Sequence, residues 1–249
     1  MGCDFIRFKQ FIIKQRNAAM KVGVDSVLLG AWACADDSLL KTQVNIAKQI
    51  GILDVGTGTG LLALMMAQRF PNAVIDAVEI DVETYLQAIE NVANSPWNNR
   101  IQLICDDFDN YAEYCYHLYN IIICNPPYFT ASLKSPDNKR SIARHNDSLP
   151  HGCLLAGVAK LLAPDGTFAI ILPPAEALSL INEAITYGLF LKRTQHVQAL
   201  PSKPVHRILI ELSKTEYPPE NQELCIEKAD RSDYTDEYKQ LTKEFYLKF

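Results

Sequence analysis

The 249-residue sequence predicts an α/β protein: a doubly wound, seven-stranded, mostly parallel sheet preceded by a short N-terminal extension. Short apolar runs alternate with stretches of helical spacing, which is the rhythm of strand, crossover helix, strand. The central runs are continuously apolar, as strands covered on both faces must be. A glycine cluster directly follows the first of them.

Taken in order, residues 50–55 (IGILDV) form the first strand, and 61–70 (LLALMMAQRF) have helical spacing closed by Pro71 and Asn72. Residues 73–80 (AVIDAVEI) are the second strand, followed by a helix over 82–95. IQLIC (101–105) and YNIIIC (119–124) are strands three and four. A helix over 149–162 is stopped by APDG, and TFAIILP (167–173) is strand five. A further helix, 175–188, has Gly188 at its C-terminus, where a left-handed residue is wanted. FLKRTQHVQAL (190–200) and HRILIELSK (206–214) close the sheet as a pair of strands. Right-handed crossovers connect the parallel strands.

Composition sets the class. An apolar fraction of 48% with 21% charged residues is that of a globular chain with a real core. No stretch approaches the roughly 18 uninterrupted apolar residues of a membrane span. The N-terminal run mixes Arg7, Lys9 and Lys14 into its apolar residues, so it lacks a signal-peptide core, and Ile6 stands where a myristoylation signal needs Ser or Thr. A cytoplasmic protein with no membrane partner is expected, a monomer by preference. The seven cysteines, Cys3, Cys34, Cys105, Cys115, Cys124, Cys153 and Cys225, include no CxxC pair, which points to reduced thiols, and the histidines lack metal-ligand spacing, so no metal is expected. The net charge of -5 conceals a gradient: bases prevail over residues 1–25 and acids over 216–249. The organisation read from this is an extension over 1–45 and one domain over 46–249 that includes the acidic tail.

In doubly wound sheets, ligands bind beyond the carboxyl ends of the strands. There the sequence places DVGTGTG, with Asp54, Gly56, Gly58 and Gly60 at the strand-to-helix turn. Glycines let a ligand approach the backbone, and the helix N-terminus offers free N–H groups. The spacing differs from the dinucleotide pattern GxGxxG. With its acid at the strand end it resembles motif I of the class I, Rossmann-like methyltransferases, which implies S-adenosyl-L-methionine as the cofactor. Glu79 ends the second strand, where a carboxylate accepts hydrogen bonds from both hydroxyls of a ribose. Asp81 is the weaker candidate for that role. Asp106 and Asp107 follow strand three, where the family holds the cofactor's adenine. For each acid the alternative is a helix N-cap.

Strand four ends in NPPY: Asn125, Pro126, Pro127 and Tyr128. The nitrogen of an exocyclic amine or an amide is a poor nucleophile, because its lone pair is delocalised. Acceptors for both of its hydrogens push density back onto it, and the side-chain oxygen of Asn125 with the carbonyl of Pro126 makes such a pair. The prolines stiffen the backbone that aims them, and Tyr128 offers a face for a flat substrate. NPPY is similar to the motif of amino methyltransferases acting on adenine, guanine or glutamine.

Residues 8–32 (FKQFIIKQRNAAMKVGVDSVLLGAW), NPPYF, 143–150 (ARHNDSLP) and 234–246 (YTDEYKQLTKEFY) resemble, nearly end to end, the tRNA adenine-N6 methyltransferases that modify adenosine 37 of a valine tRNA. The resemblance implies tRNA, through its anticodon loop, as partner, and places Lys21, Gly23 and the turn toward Asp25 near the cofactor. The residues themselves leave two readings of 5–16, a hairpin packed on the domain or an RNA-facing edge. The loop after NPPY, with Lys134, Lys139, Arg140 and Arg144, is either a phosphate contact over the substrate mouth or a solvated loop. Lys203 and Arg207 extend that face, and Phe129 is a second wall for the base. A release-factor glutamine methyltransferase would carry a sizeable N-terminal helical domain, a ribosomal guanine-N2 enzyme a longer chain, and an adenine DNA methyltransferase a recognition insertion. An RNA-binding module without chemistry would have lost a motif glycine or Asn125, and neither is lost.

Overall fold

Residues 4–16, 18, 20–34, 49–127 and 149–249 are described in the computed structural model. They begin with β1 (Phe5–Arg7) and β2 (Ile12–Lys14), an antiparallel hairpin, and a helix, α1 (Val24–Trp32). Strands and helices then alternate: β3 (Ile50–Val55), α2 (Leu61–Arg69), β4 (Ala73–Glu79), α3 (Val82–Ala93), β5 (Ile101–Cys105), α4 (Phe108–Tyr114), β6 (Tyr119–Cys124), α5 (His151–Leu161), β7 (Leu162–Leu172) and α6 (Pro174–Ala184). A 3-10 turn, Ile185–Tyr187, leads to β8 (Phe190–Gln198), β9 (Val205–Ser213), β10 (Glu220–Cys225) and α7 (Asp236–Thr242).

Among the described residues one eight-stranded sheet runs in the order β10-β8-β9-β7-β6-β3-β4-β5. Strands β5, β4, β3, β6 and β7 are parallel, and β9 is antiparallel to both its neighbours. The sequence predicts seven strands; the eighth is β10, parallel to β8 at the sheet edge. Its residues, ENQELC, bury only Leu224, so they offer no apolar run to read. Strand β7 also starts earlier than expected, at Leu162, and runs through APDG with a register shift against β6 between Tyr119 and Ile121.

The central strands are apolar on both faces because both faces are covered. In β6, Ile121 and Ile123 join an apolar cluster with Leu28 of α1 and Leu62 of α2, while Ile122 and Cys124 join a second cluster with Leu154 of α5 and Leu180 of α6. All three isoleucines are 0% exposed. Each contributes about 1.5–3 kcal/mol by leaving water.

Of the two readings of the N-terminal hairpin, packing is realised on one side. The rings of Phe8 and Phe11 stack at 4.8 Å, Phe11 meets Trp97 edge-on at 5.8 Å, and Phe8 lies 6.1 Å from Tyr246. The N–H of Lys9 donates to the carbonyl of Phe245 at 2.9 Å, and its Nζ donates to the carbonyls of Lys243 and Phe249 at 2.6 Å each. Phe5 and Ile12 stay exposed on the other side. The boundary expected near residue 45 lies outside the described residues.

The far end of α1 is pinned beneath the sheet. Arg193 of β8 donates from Nη2 to Glu211 Oε1 of β9 at 2.7 Å, and its guanidinium lies 4.1 Å from the centre of the Trp32 ring. Glu211 Oε1 also accepts the N–H of Cys34 at 2.7 Å.

Candidate active site

Register alone gathers the site. Val55 at the end of β3 pairs with Val78 on one side and Cys124 on the other, and Glu79 pairs with Cys105. The glycine loop, Glu79, Asp106 and Asn125 therefore lie in one row along the carboxyl edge of the sheet. Leu172 pairs with Ile208, so the start of β9, with Arg207, and the turn carrying Lys203 stand on the same edge.

In the loop, Gly56, Gly58 and Gly60 have φ of +66°, +59° and +81°, left-handed values that L side chains resist. A Cβ on Gly56 would meet nothing within 4 Å, and one on Gly58 only the carbonyl of Gly56 at 4.0 Å. The space beyond the loop is open to a ligand, and the demand for glycine comes from the backbone itself. Asp54 braces this loop. It is 0% exposed, and its Oδ2 accepts the hydroxyl of Thr57 at 2.5 Å and the N–H of Ala63 in α2 at 3.0 Å. Its Oδ1 is buried with no partner among the described residues, and burial pushes the carboxyl up to about 7. Asp54 thus shapes the cradle from below, with one acceptor still unmatched.

Glu79 is 8% exposed, and its two oxygens accept the N–H groups of Gly58 at 2.8 Å and Asp81 at 2.9 Å. Burial raises its pKa, and those two N–H groups oppose the rise. Asp81 takes the N-cap of α3, accepting from the N–H of Thr84 at 2.8 Å, so the alternative reading of an acid as a cap holds there. Asp107 is the N-cap of α4, accepting from Asp109 N–H at 2.8 Å, and the preceding Asp106 accepts from the N–H of Asp107 at 2.8 Å. Both are half-buried beside Glu79, whose carbonyl accepts the N–H of Asp106 at 3.1 Å. Lys21 is exposed, and Gly23 is the extended N-cap of α1, with φ of -114°.

Asn125 is half-buried at the end of β6, and its Nδ2 donates to Ser26 Oγ of α1 at 2.6 Å. One residue earlier, Asp25 accepts from Arg207 Nε at 2.8 Å, so part of Arg207's charge is spent inside the fold. Pro126 is half-buried and Pro127 exposed. Tyr128, Phe129, Lys134, Lys139, Arg140 and Arg144 lie outside the described residues. Sequence reading missed Ser26 and Thr57, and it missed the pairing of Asp25 with Arg207. Thr57 lies inside the glycine motif, and Ser26 and Asp25 inside the 8–32 phrase, but nothing local marks their partners. No group of His, Cys, Asp and Glu among the described residues is arranged to hold a metal, and no described helix is long and apolar enough to cross a membrane.

The donor set fits S-adenosyl-L-methionine. An open backbone cradle, an unmatched buried acceptor in Asp54, and carboxylates ending two successive strands suit a nucleoside bearing hydroxyl and amine donors. This fold with this loop defines a class I methyltransferase that uses S-adenosyl-L-methionine. Residues 36–172 match the Methyltransferase small domain family, and a predicted O-methyltransferase from Agrobacterium tumefaciens shares the fold with a TM-score of 0.62 and 17% identity, over 88% of this chain and 96% of that one. A tRNA1(Val) (adenine(37)-N6)-methyltransferase of Bacteroides fragilis is 45% identical over 100% of both chains, and one of Trichodesmium erythraeum is 41% identical, again over 100% of both. The chain belongs to the tRNA1(Val) (adenine(37)-N6)-methyltransferase family.

Proposed function

We propose that this chain transfers a methyl group from S-adenosyl-L-methionine to N6 of adenosine 37 in a valine tRNA, as a cytoplasmic monomer. The observation that carries the reading is Asn125, set beside the glycine loop in a chain similar from end to end to relatives bearing that name. Residues 1–45 act as an extension of the catalytic domain over 46–249.

Glu79 holds the ribose hydroxyls of the cofactor, with Asp107 or Asp106 on its adenine and Gly56, Gly58 and Gly60 giving backbone access. Lys21 and Gly23 border the same cleft. When bound, the cofactor supplies a methyl group on a sulfonium sulfur that leaves as a neutral thioether. Asn125 Oδ1 and the carbonyl of Pro126 accept the two N6 hydrogens of the adenine, returning electron density to the nitrogen and aligning it for in-line attack. No base is required beforehand; the nitrogen carries the surplus proton after transfer and releases it to water. Tyr128 stacks on the base, Phe129 walls its other side, and Pro127 stiffens the turn. An anticodon-loop base is only partly stacked, so drawing it out costs less than extracting one from a duplex.

Lys134, Lys139, Arg140 and Arg144 supply phosphate contacts over the mouth, and Lys203 and Arg207 extend them along the sheet edge. A recess of about 430 Å³ bounded in part by Lys203, Glu227 and Arg231 lies beside that edge.

The test is transfer of labelled methyl to unmodified valine tRNA, total tRNA and a release factor in parallel, followed by nucleoside analysis. N6-methyladenosine at position 37 is expected. Label confined to the release-factor glutamine would overturn the substrate and keep the chemistry.

A further inference from the structure

We infer that Asn91 is a positioning residue for the cofactor: its amide fixes the Thr59–Gly60 peptide of the glycine loop, and the N-terminal hairpin in turn fixes the amide. The inference rests on the glycine loop being the cofactor cradle proposed above.

Glycine permits a left-handed turn but does not enforce one. Without a Cβ it takes either sign of φ at similar cost, so bonds must hold the loop in its one shape. Three N–H groups do part of this. Thr57 donates to the carbonyl of Val78 at 2.9 Å, Gly58 to Glu79 Oε2 at 2.8 Å and Gly60 to the carbonyl of Thr57 at 3.0 Å. The carbonyl of Thr59 shares a peptide with the Gly60 N–H, beside a φ of +81°. Turned over, that peptide would exchange the directions of its carbonyl and its N–H, and the loop would show a ligand different backbone groups. Asn91 Nδ2 donates to the Thr59 carbonyl at 2.9 Å, so turning the peptide breaks a bond at each end.

Asparagine is a costly choice at this place. Asn91 lies inside α3 and is 2% exposed, and its neighbours Ala88 and Val92 stand 3.7 and 3.6 Å from where a Cβ on Gly60 would be. A helix interior disfavours asparagine, and burial penalises an unpaired amide. Three bonds satisfy this one. Nδ2 donates to the carbonyls of Thr59 at 2.9 Å and Lys14 at 2.8 Å, and Oδ1 accepts the N–H of Lys14 at 2.8 Å. A carbonyl only accepts and an N–H only donates, so the orientation of the amide is unambiguous. Reversed, it would set oxygen against two carbonyls and nitrogen against an N–H. Lys14 ends β2 of the hairpin, 77 positions away, and gives Asn91 both of its backbone polar groups, as it would give them to a neighbouring strand. The hairpin therefore sets the amide, and the amide sets the loop.

The experiment compares the full chain with Asn91→Leu, Asn91→Asp, Lys14→Pro, Lys14→Ala and Asn91→Leu/Lys14→Pro. Amide exchange of the ligand-free protein is read over residues 56–61 and over β6. Calorimetry gives the affinity for S-adenosyl-L-homocysteine, the cofactor without its methyl group. Asn91→Leu keeps the bulk and removes the amide, and Asn91→Asp keeps an acceptor for Lys14 but turns an oxygen toward the two carbonyls. Both should speed exchange in the loop at least about tenfold more than in β6, and weaken the ligand about 5- to 100-fold. Lys14→Pro removes the N–H that Asn91 accepts, at a strand edge where proline is tolerated. Lys14→Ala loses only the ion pair with Glu90. Proline should bind the ligand about 3- to 10-fold more weakly than alanine at position 14, and should cost less than about twofold further in the Asn91→Leu background. Equal acceleration in the loop and in β6, with affinity within about twofold of wild type, would make Asn91 a support of the fold alone and overturn the inference. Equal affinities for the two Lys14 variants would overturn it too, and that pair decides if the Asn91 variants do not fold. If the wild type itself does not bind S-adenosyl-L-homocysteine, the cofactor reading fails on its own, and loop exchange still decides whether Asn91 holds the peptide.

Discussion

The N–H of Gly58 donates to Glu79 Oε2 at 2.8 Å, so the glycine loop after β3 is tied to the carboxylate that ends β4. The second oxygen is held by Asp81 N–H at 2.9 Å, and the carboxylate, with about four lone-pair sites, keeps capacity for a further donor. Glu79→Gln turns one of these acceptors into a donor facing a donor. We predict that cofactor affinity falls about 10- to 100-fold, roughly 1.5–3 kcal/mol for a bond to a charged group. Turnover at saturating cofactor should change little. Calorimetry beside kcat separates the two, and unchanged affinity would remove Glu79 from the ribose site.

Asp54 makes stability depend on pH in a direction opposite to most carboxylates. Burial pushes its folded-state pKa up to about 7, from 3.8 in the open chain. Between those values the folded protein keeps a proton that the unfolded chain has released. Its contribution is therefore fully present below about pH 4 and is lost as pH rises through about 7. Asp54→Asn cannot ionise, and its oxygen can still accept from Thr57 and Ala63. Urea unfolding should show the variant gaining on wild type from pH 5 to pH 8; parallel pH profiles would contradict the assignment.

Arg193 and Glu211, with side chains 5% and 2% exposed, hold each other across β8 and β9. Arg193→Met leaves a buried carboxylate that still accepts the N–H of Cys34 but has lost its guanidinium. The expected loss is about 3–5 kcal/mol. Replacing both residues, Arg193→Met with Glu211→Leu, should recover much of it. A double variant no more stable than the single one would show that packing against Trp32 matters more than the charge.

Replacing Lys134, Lys139, Arg140 and Arg144 together should weaken tRNA binding and flatten its salt dependence. If all four meet phosphates, the slope of log K against log salt falls in magnitude by about 3. Binding measured from low to physiological salt gives the slope, and an unchanged one returns the loop to plain solvation.

The parts of the fold legible in the sequence are those whose burial is two-sided or periodic. YNIIIC reads as a central strand because Ile121, Ile122 and Ile123 must all leave water. Strand β10 was not legible, because an edge strand that buries only Leu224 needs no apolar pattern. Helix α4 is short and carries two buried residues, Phe108 and Ala112, too few for a period to show. In the site, glycine spacing reports a backbone conformation and is therefore local, as the three positive φ values bear out. The Ser26 to Asn125 bond joins segments 99 residues apart, and no local spacing encodes such a meeting. Asp54 was legible as important, but its role as a brace depends on a burial that one sequence does not reveal.

The hairpin of β1 and β2 has a consequence for the order of events during synthesis. Lys9 is bonded to residues 234 and 240 positions further along the chain, and Phe8 rests near Tyr246. On the ribosome, one of the first segments to emerge waits for the last. Until then Phe8 has only part of its cover, and a chaperone or a neighbouring nascent chain competes for that face. Closing so long a loop is slow, so docking of the hairpin is the late step of folding, and a pause before residue 243 prolongs that exposure.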